Sequence, residues 1–177
     1  IYSRMKIVIT GALGHIGSKI VRELAGFYPG SEIIMIDNFL TQRYSSLFDL
    51  PSKSKYHFIE GDVIELNLVP IFEKADAVIH LAAITDAAGS FGNREQVEYV
   101  NYNSTVKVAD ACSRAEVPLV HLSSTSVYGT QNEVVDENCT EEELKPQSPY
   151  AETKLKEEEY LQKLGEDREL KFITCRF

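Results

Sequence analysis

The sequence is poor in the residues that mark a disulfide scaffold, a metal centre, a membrane span or a nucleic-acid grip. It has three cysteines in 177 residues. Cys112, Cys139 and Cys175 form no close pair and show no zinc spacing, so free thiols in a cytoplasmic protein are expected. The four histidines, His15, His57, His80 and His121, include no i, i+4 pair, and no metal is expected. Positive charge is in deficit, with 18 Lys and Arg against 27 Asp and Glu and a net charge of −9. That balance argues against broad binding to nucleic acid or an anionic membrane. No apolar run approaches the length of a membrane span, and nothing resembles a signal peptide.

What the chain does contain is an alternation of short β-branched runs and helical patterns. Strands are expected at Lys6–Thr10, Glu32–Ile36, Tyr56–Glu60, Ala77–Leu81, Leu119–Leu122 and Lys171–Cys175. Helices are expected after Gly14, over Leu66–Lys74, over Arg94–Ala115 and over Pro149–Gly165, with Pro70 awkward inside the second. A short helix is expected near Tyr44–Phe48. Thr85–Asn93 reads as a mobile loop and Gln131–Gln147 as an acidic one. Lys156–Glu159 reads as an exposed charged face. His80 and His121 each close an apolar run and read as structural residues. The length and 44% apolar content fit one α/β domain over residues 1–177, a doubly wound parallel sheet in three αβα layers. Ile1–Arg4 stand as a short extension ahead of Met5.

The first strand runs directly into Gly11-Ala12-Leu13-Gly14-His15-Ile16-Gly17. Glycines at this spacing permit a tight turn, close approach of backbone to a pyrophosphate, and contact between helix and strand. The following helix presents free N–H groups to the phosphates. Asp37 ends the second strand, twenty positions after Gly17. A carboxylate there accepts hydrogen bonds from ribose hydroxyls and repels a 2′-phosphate, which favours NAD over NADP.

Further on, Tyr150 and Lys154 stand one helical turn apart, with Ser124 upstream in Ser123-Ser124-Thr125-Ser126. A phenol titrates near pH 10, and a nearby ammonium is expected to favour the phenolate and lower that value. Ser124 could hold a substrate oxygen while Tyr150 takes its proton. This trio suits deprotonation of an alcohol as hydride leaves its carbon.

In order along the chain stand Thr10-Gly11-x-x-Gly14-x-x-Gly17, Asp37-Asn38, Gly61-Asp62-Val63, His80-Leu81-Ala82-Ala83, Val100-Asn101 with Ser104-Thr105, the Ser124 segment and Tyr150-x-x-x-Lys154. From Met5 to Phe177 the chain resembles the extended short-chain dehydrogenase/reductase family, within it the NAD-dependent sugar epimerase/dehydratase group. The resemblance implies a Rossmann-like fold and NAD bound by Gly11, Gly14, His15, Ile16, Gly17, Asp37 and Asn38. It implies that Asp62 and Val63 meet the adenine, and that Leu81, Ala82 and Ala83 line the cofactor cleft. It implies that Asn101 orders Lys154 or the cofactor, and that Lys154 also holds the nicotinamide ribose. Tyr150 would be the base and Ser124 its partner hydroxyl.

Sugar dehydratases of the group carry Thr-Asp-Glu where this chain has Ser124-Thr125-Ser126. The segment looks most like that of a UDP-hexose 4-epimerase, which works through a transient 4-keto sugar on a nucleotide-sugar substrate. Other oxidoreductase, decarboxylase or dehydratase chemistry, or a non-catalytic NAD-binding module, are the alternatives. Family members continue well past the sixth strand, so a C-terminal substrate domain is expected to be largely absent from this chain. Relatives dimerise through the helices matching Arg94–Ala115 and Pro149–Gly165, which makes a homodimer an expectation.

Overall fold

The fold is described from a computed structural model covering residues 5–86, 88–132, 134–167 and 169–177. Ile1–Arg4, Arg168, and one residue in each of the two expected long loops (Ala87 and Glu133), lie outside the described residues. Six parallel strands form one sheet: β1 (Lys6–Thr10), β2 (Glu32–Asp37), β3 (Lys55–Glu60), β4 (Ala77–His80), β5 (Leu119–Ser123) and β6 (Phe172–Arg176). Their spatial order is β3-β2-β1-β4-β5-β6. The order reverses direction between β1 and β4, the point where an open α/β sheet leaves a crevice beyond its strand ends.

Side chains on a strand alternate between faces, and two separate cores result. Ile7, Ile9, Ile33 and Met35 pack with Val21 and Ala25 of α1 (His15–Phe27) on one face. Val8, Ile34, Ile36, Val78 and Leu119 face the other way. They pack against Val108, Ala109 and Cys112 of a long helix (Arg94–Ala115) and Leu161 of the last one (Pro149–Glu166). Near-continuous apolar strands are therefore required, because both faces are covered.

The expected helix over Leu66–Lys74 shrinks to one turn, α2 (Val69–Phe72). Pro70 is the reason: it lies within the first turn, where its missing N–H costs nothing, so the helix cannot begin four residues earlier. The long helices α3 (Arg94–Ala115) and α4 (Pro149–Glu166) form where they are expected, α4 running one residue further. α3 ends at Glu116 in the left-handed conformation. α4 starts at Ser148, whose hydroxyl accepts the Ala151 N–H at 3.1 Å. Single 3₁₀ turns occupy Tyr44–Leu47, Gly89–Phe91, Thr125–Tyr128 and Glu141–Glu143. Among the described residues, no helix is long and apolar enough to cross a membrane.

Candidate active site

The loops leaving the carboxyl ends of the strands surround a cavity of about 370 Å³. Gly11, Gly14, His15, Ile16 and Gly17 form its floor at the switch point, directly beyond β1. Gly11 has φ of +64°, and a Cβ there would meet the Ala82 nitrogen at 2.6 Å. A Cβ on Gly17 would sit 2.3 Å from the Gly11 carbonyl oxygen. The turn is thus closed on itself and on β4, with room for hydrogen only.

Asp37, Asn38, Asp62 and Val63 line one end of the cavity. The Asp37 carboxylate accepts the backbone N–H groups of Leu13 and Phe39, each at 3.0 Å. The first of these bonds ties the glycine turn to the end of β2. Asn38 donates to Asp62 at 3.1 Å, and Asp62 in turn accepts the Ile64 N–H. Leu81, Ala82 and Ala83 follow β4 along the opposite wall. Their approach is fixed by Thr10, whose hydroxyl accepts the N–H groups of Leu81 and Ala82.

Ser124 and Tyr150 both line the other end of the same cavity. Ser124 Oγ accepts both the N–H and the hydroxyl of Ser126, leaving its own O–H to donate elsewhere. Tyr150 is half-buried at the start of α4, and its backbone N–H donates to Ser90 at 3.3 Å. The turn holding Ser124 is pinned to the last strand by the Thr125 N–H and the Phe177 carbonyl. Arg176 adds a clamp, donating to Glu158 of α4 and to the Tyr128 hydroxyl.

Two residues assigned to the cofactor do not line the cavity. Asn101 is buried in α3 and exchanges two hydrogen bonds with the Ile84 backbone, at 2.7 and 2.9 Å. It orders the chain after β4. Lys154 is buried behind Tyr150, its Nζ 6.0 Å from the ring centroid. Its ammonium donates to Glu157 at 2.9 Å. In this arrangement the ammonium is engaged by Glu157 rather than by the Tyr150 hydroxyl. Burial pushes the phenol above its ordinary value, and the Glu157 charge adds to the rise.

The exposed reading of Lys156–Glu159 also fails in part. Lys156 and Glu159 are exposed, whereas Glu157 is fully buried and Glu158 half-buried against Arg176. One Glu157 oxygen accepts from Lys154, from His121 Nε2 at 2.8 Å and from the Thr105 hydroxyl at 2.9 Å. Thr105 in turn accepts from His80 Nε2, and His80 Nδ1 accepts from Thr10. A polar chain thus crosses beneath the cavity from β1 to α4. Burial, with the neighbouring His121 and Lys154, pushes His80 down to about 3, so it is neutral. Burial opposes the charge on Glu157, but Lys154 and His121 outweigh it and hold the carboxyl below its usual range.

Residues 7–177 match the NAD dependent epimerase/dehydratase family. The chain belongs to that family. Its cofactor is NAD, and the glycine turn beside Asp37 is a cradle that fits a dinucleotide. A curated relative in Arabidopsis thaliana is 33% identical over 99% of the chain and 27% of its own length. That relative is the trifunctional UDP-glucose 4,6-dehydratase/UDP-4-keto-6-deoxy-D-glucose 3,5-epimerase/UDP-4-keto-L-rhamnose-reductase RHM3. Among solved structures, the UDP-N-acetylglucosamine 4-epimerase of Methanobrevibacter ruminantium aligns with a TM-score of 0.88 and 29% identity, covering 98% of this chain and 55% of that one. The UDP-glucose-4-epimerase of Stenotrophomonas maltophila, with bound NAD, gives 0.87 and 26%, covering 98% and 52%. The chain spans between 27% and 56% of the length of the first curated relatives it matches. Epimerases and dehydratases both stand among these family members.

Proposed function

We propose that the chain forms the cofactor-binding and proton-handling part of a UDP-hexose 4-epimerase. The observation that carries this reading is that Ser124 and Tyr150 line the same cavity as the glycine turn and Asp37, with hydroxyl side chains at positions 125 and 126. Water elimination asks for an acid and a base beside the sugar, and Thr125 and Ser126 supply no carboxyl group. Bound NAD supplies reversible hydride acceptance. The turn at Gly11–Gly17 and the carboxylate of Asp37 would hold it, with Leu81–Ala83 along its side. Ser124 donates its hydrogen bond to the C4 oxygen and holds it in front of Tyr150. The phenolate of Tyr150 takes the C4 hydroxyl proton and returns it once the keto group has been presented on its other face. Lys154, one turn behind, supplies the positive charge that the phenolate needs.

Incubation of the full-length protein with UDP-hexoses tests the proposal. Interconversion of the C4 epimers without net NADH is expected, and Tyr150→Phe should lower kcat by at least about a hundredfold, the scale of acid–base assistance. Full activity in Tyr150→Phe would end this reading. Dehydration is the second reading, favoured by the 33% identity to a plant enzyme that carries a 4,6-dehydratase activity. Loss of one water from the sugar, followed by mass spectrometry, would select it.

A further inference from the structure

Glu157 is a fully buried carboxylate with no part in the proton transfer described above. Burying such a group is unfavourable unless it is paired and hydrogen-bonded. Its Oε2 meets three donors, but among the described residues Oε1 has no hydrogen-bond partner. A carboxylate held in this half-satisfied state, three positions beyond Lys154, invites a functional account.

The groups turned toward it come from four elements. Lys154 faces it from α4, His121 from β5 and Thr105 from α3, while His80 of β4 reaches it through Thr105. Glu158, next along α4, faces Arg176 of β6 instead. Lys154 is the cation hydrogen-bonded to Glu157, since both imidazoles are kept from protonation by burial. The same ammonium is the charge that a Tyr150 phenolate would need. Two anionic groups on one helix therefore compete for one lysine.

We propose that Glu157 is a positioning residue for Lys154, holding the ammonium in its own hydrogen bond beside Tyr150 and so deciding how readily that phenol ionises. The carboxylate both removes the favourable charge from Tyr150 and adds an unfavourable one. Tyr150 is thereby favoured in its protonated form. It becomes a base when Lys154 turns from Glu157 toward the cavity. The unpartnered Oε1 fits this role, because a carboxylate with spare acceptor capacity can follow the ammonium through such a turn. The inference rests on the reading of Tyr150 as the base, but its test does not use turnover.

The test is a pH titration of the 177-residue chain carrying carbon-13 at the tyrosine ζ position, read by NMR. The Tyr150 signal, one of nine, is assigned by its loss in Tyr150→Phe. The unsubstituted chain should titrate at Tyr150 above the ordinary phenol value of about 10. Glu157→Gln, which keeps the size and one acceptor oxygen, should lower that midpoint by about one pH unit. Glu157→Asp, which keeps the charge, should leave the midpoint nearer that of the unsubstituted chain. An unchanged or higher midpoint in Glu157→Gln overturns the proposal, as does lost stability with no change in midpoint. Should Glu157→Gln fail to fold, a Tyr150 midpoint at or below about 10 in the unsubstituted chain overturns it. These outcomes are independent of whether UDP-hexoses are epimerised, so the two proposals fail separately.

Discussion

Gly17 illustrates how single atoms shape this site. It lies in α1, a conformation open to any residue, yet its missing Cβ is what lets the helix start against the Gly11 carbonyl. Gly17→Ala places a methyl 2.3 Å from that oxygen and 2.9 Å from Ala12 backbone atoms. Backbone cannot step aside as a side chain can, so the turn must open. Overpacking of this kind costs about 1–3 kcal/mol. The variant should remain folded but bind NAD at least roughly tenfold more weakly, as isothermal calorimetry would show. Asp37 works at the same scale through two bonds to backbone N–H groups. Its place at the end of β2, beside the glycine turn, is legible from the sequence, but its bond to Leu13 is not, because the turn that brings Leu13 there is a tertiary fact. Glu157 was hidden for a related reason. Within Lys156-Glu157-Glu158-Glu159 every residue looks solvated, and the decisive partner, His121, lies 36 positions away on β5. A signal was nevertheless present: 150, 154, 157 and 161 recur at helical spacing and share one face.

At the scale of elements, the strands were the most readable, since a strand covered on both faces must be a continuous apolar run. All six appear within two residues of their expected bounds. Helices were readable where a cap and an apolar stripe agree. α4 has both: Ser148 at its N-cap, Pro149 at its first position, and Leu161 fully buried on its inner face. α2 had the stripe but also Pro70, and the proline decided the boundary. The cap of α4 carries a functional burden, because Tyr150 is only the second residue of the helix. Ser148→Ala removes the acceptor of the Ala151 N–H and should cost about 1 kcal/mol. A fall in Tm of about 2–4 °C is expected in thermal denaturation, with Ser148→Asp restoring it. Tyr150 should also be held less firmly, so a kcat defect larger than the stability loss would trace to the cap.

Across the whole molecule, the polar chain beneath the cavity ties the fold to pH. His80 is held neutral, at about 3 against an ordinary 6.5. The unfolded chain therefore takes up a proton at His80 below about pH 6.5 that the folded chain refuses until near pH 3. Stability from this group is complete above the unfolded value and is lost progressively as pH falls from there toward 3. His121, also lowered by burial, acts with the same sign. The loss should amount to a few kcal/mol, on the order set by linkage. Urea denaturation between pH 7 and 4 should show a steep decline in the unsubstituted chain. His80→Gln, which cannot titrate, should be less stable at neutral pH but decline more gently. The sheet itself has a consequence for how such a protein can change. All six strands run the same way, so the residues that follow them line one rim, from Gly11 after β1 to Phe177 after β6. Among the described residues, the opposite rim carries joints such as the bond from the Lys6 N–H to Asp76 and that between the Ser31 and Ser54 hydroxyls. Mutation is thereby sorted in space. Variation at one rim alters what is bound and made, while variation at the other alters only how long the fold survives, so new chemistry can be tried without rebuilding the scaffold that holds it.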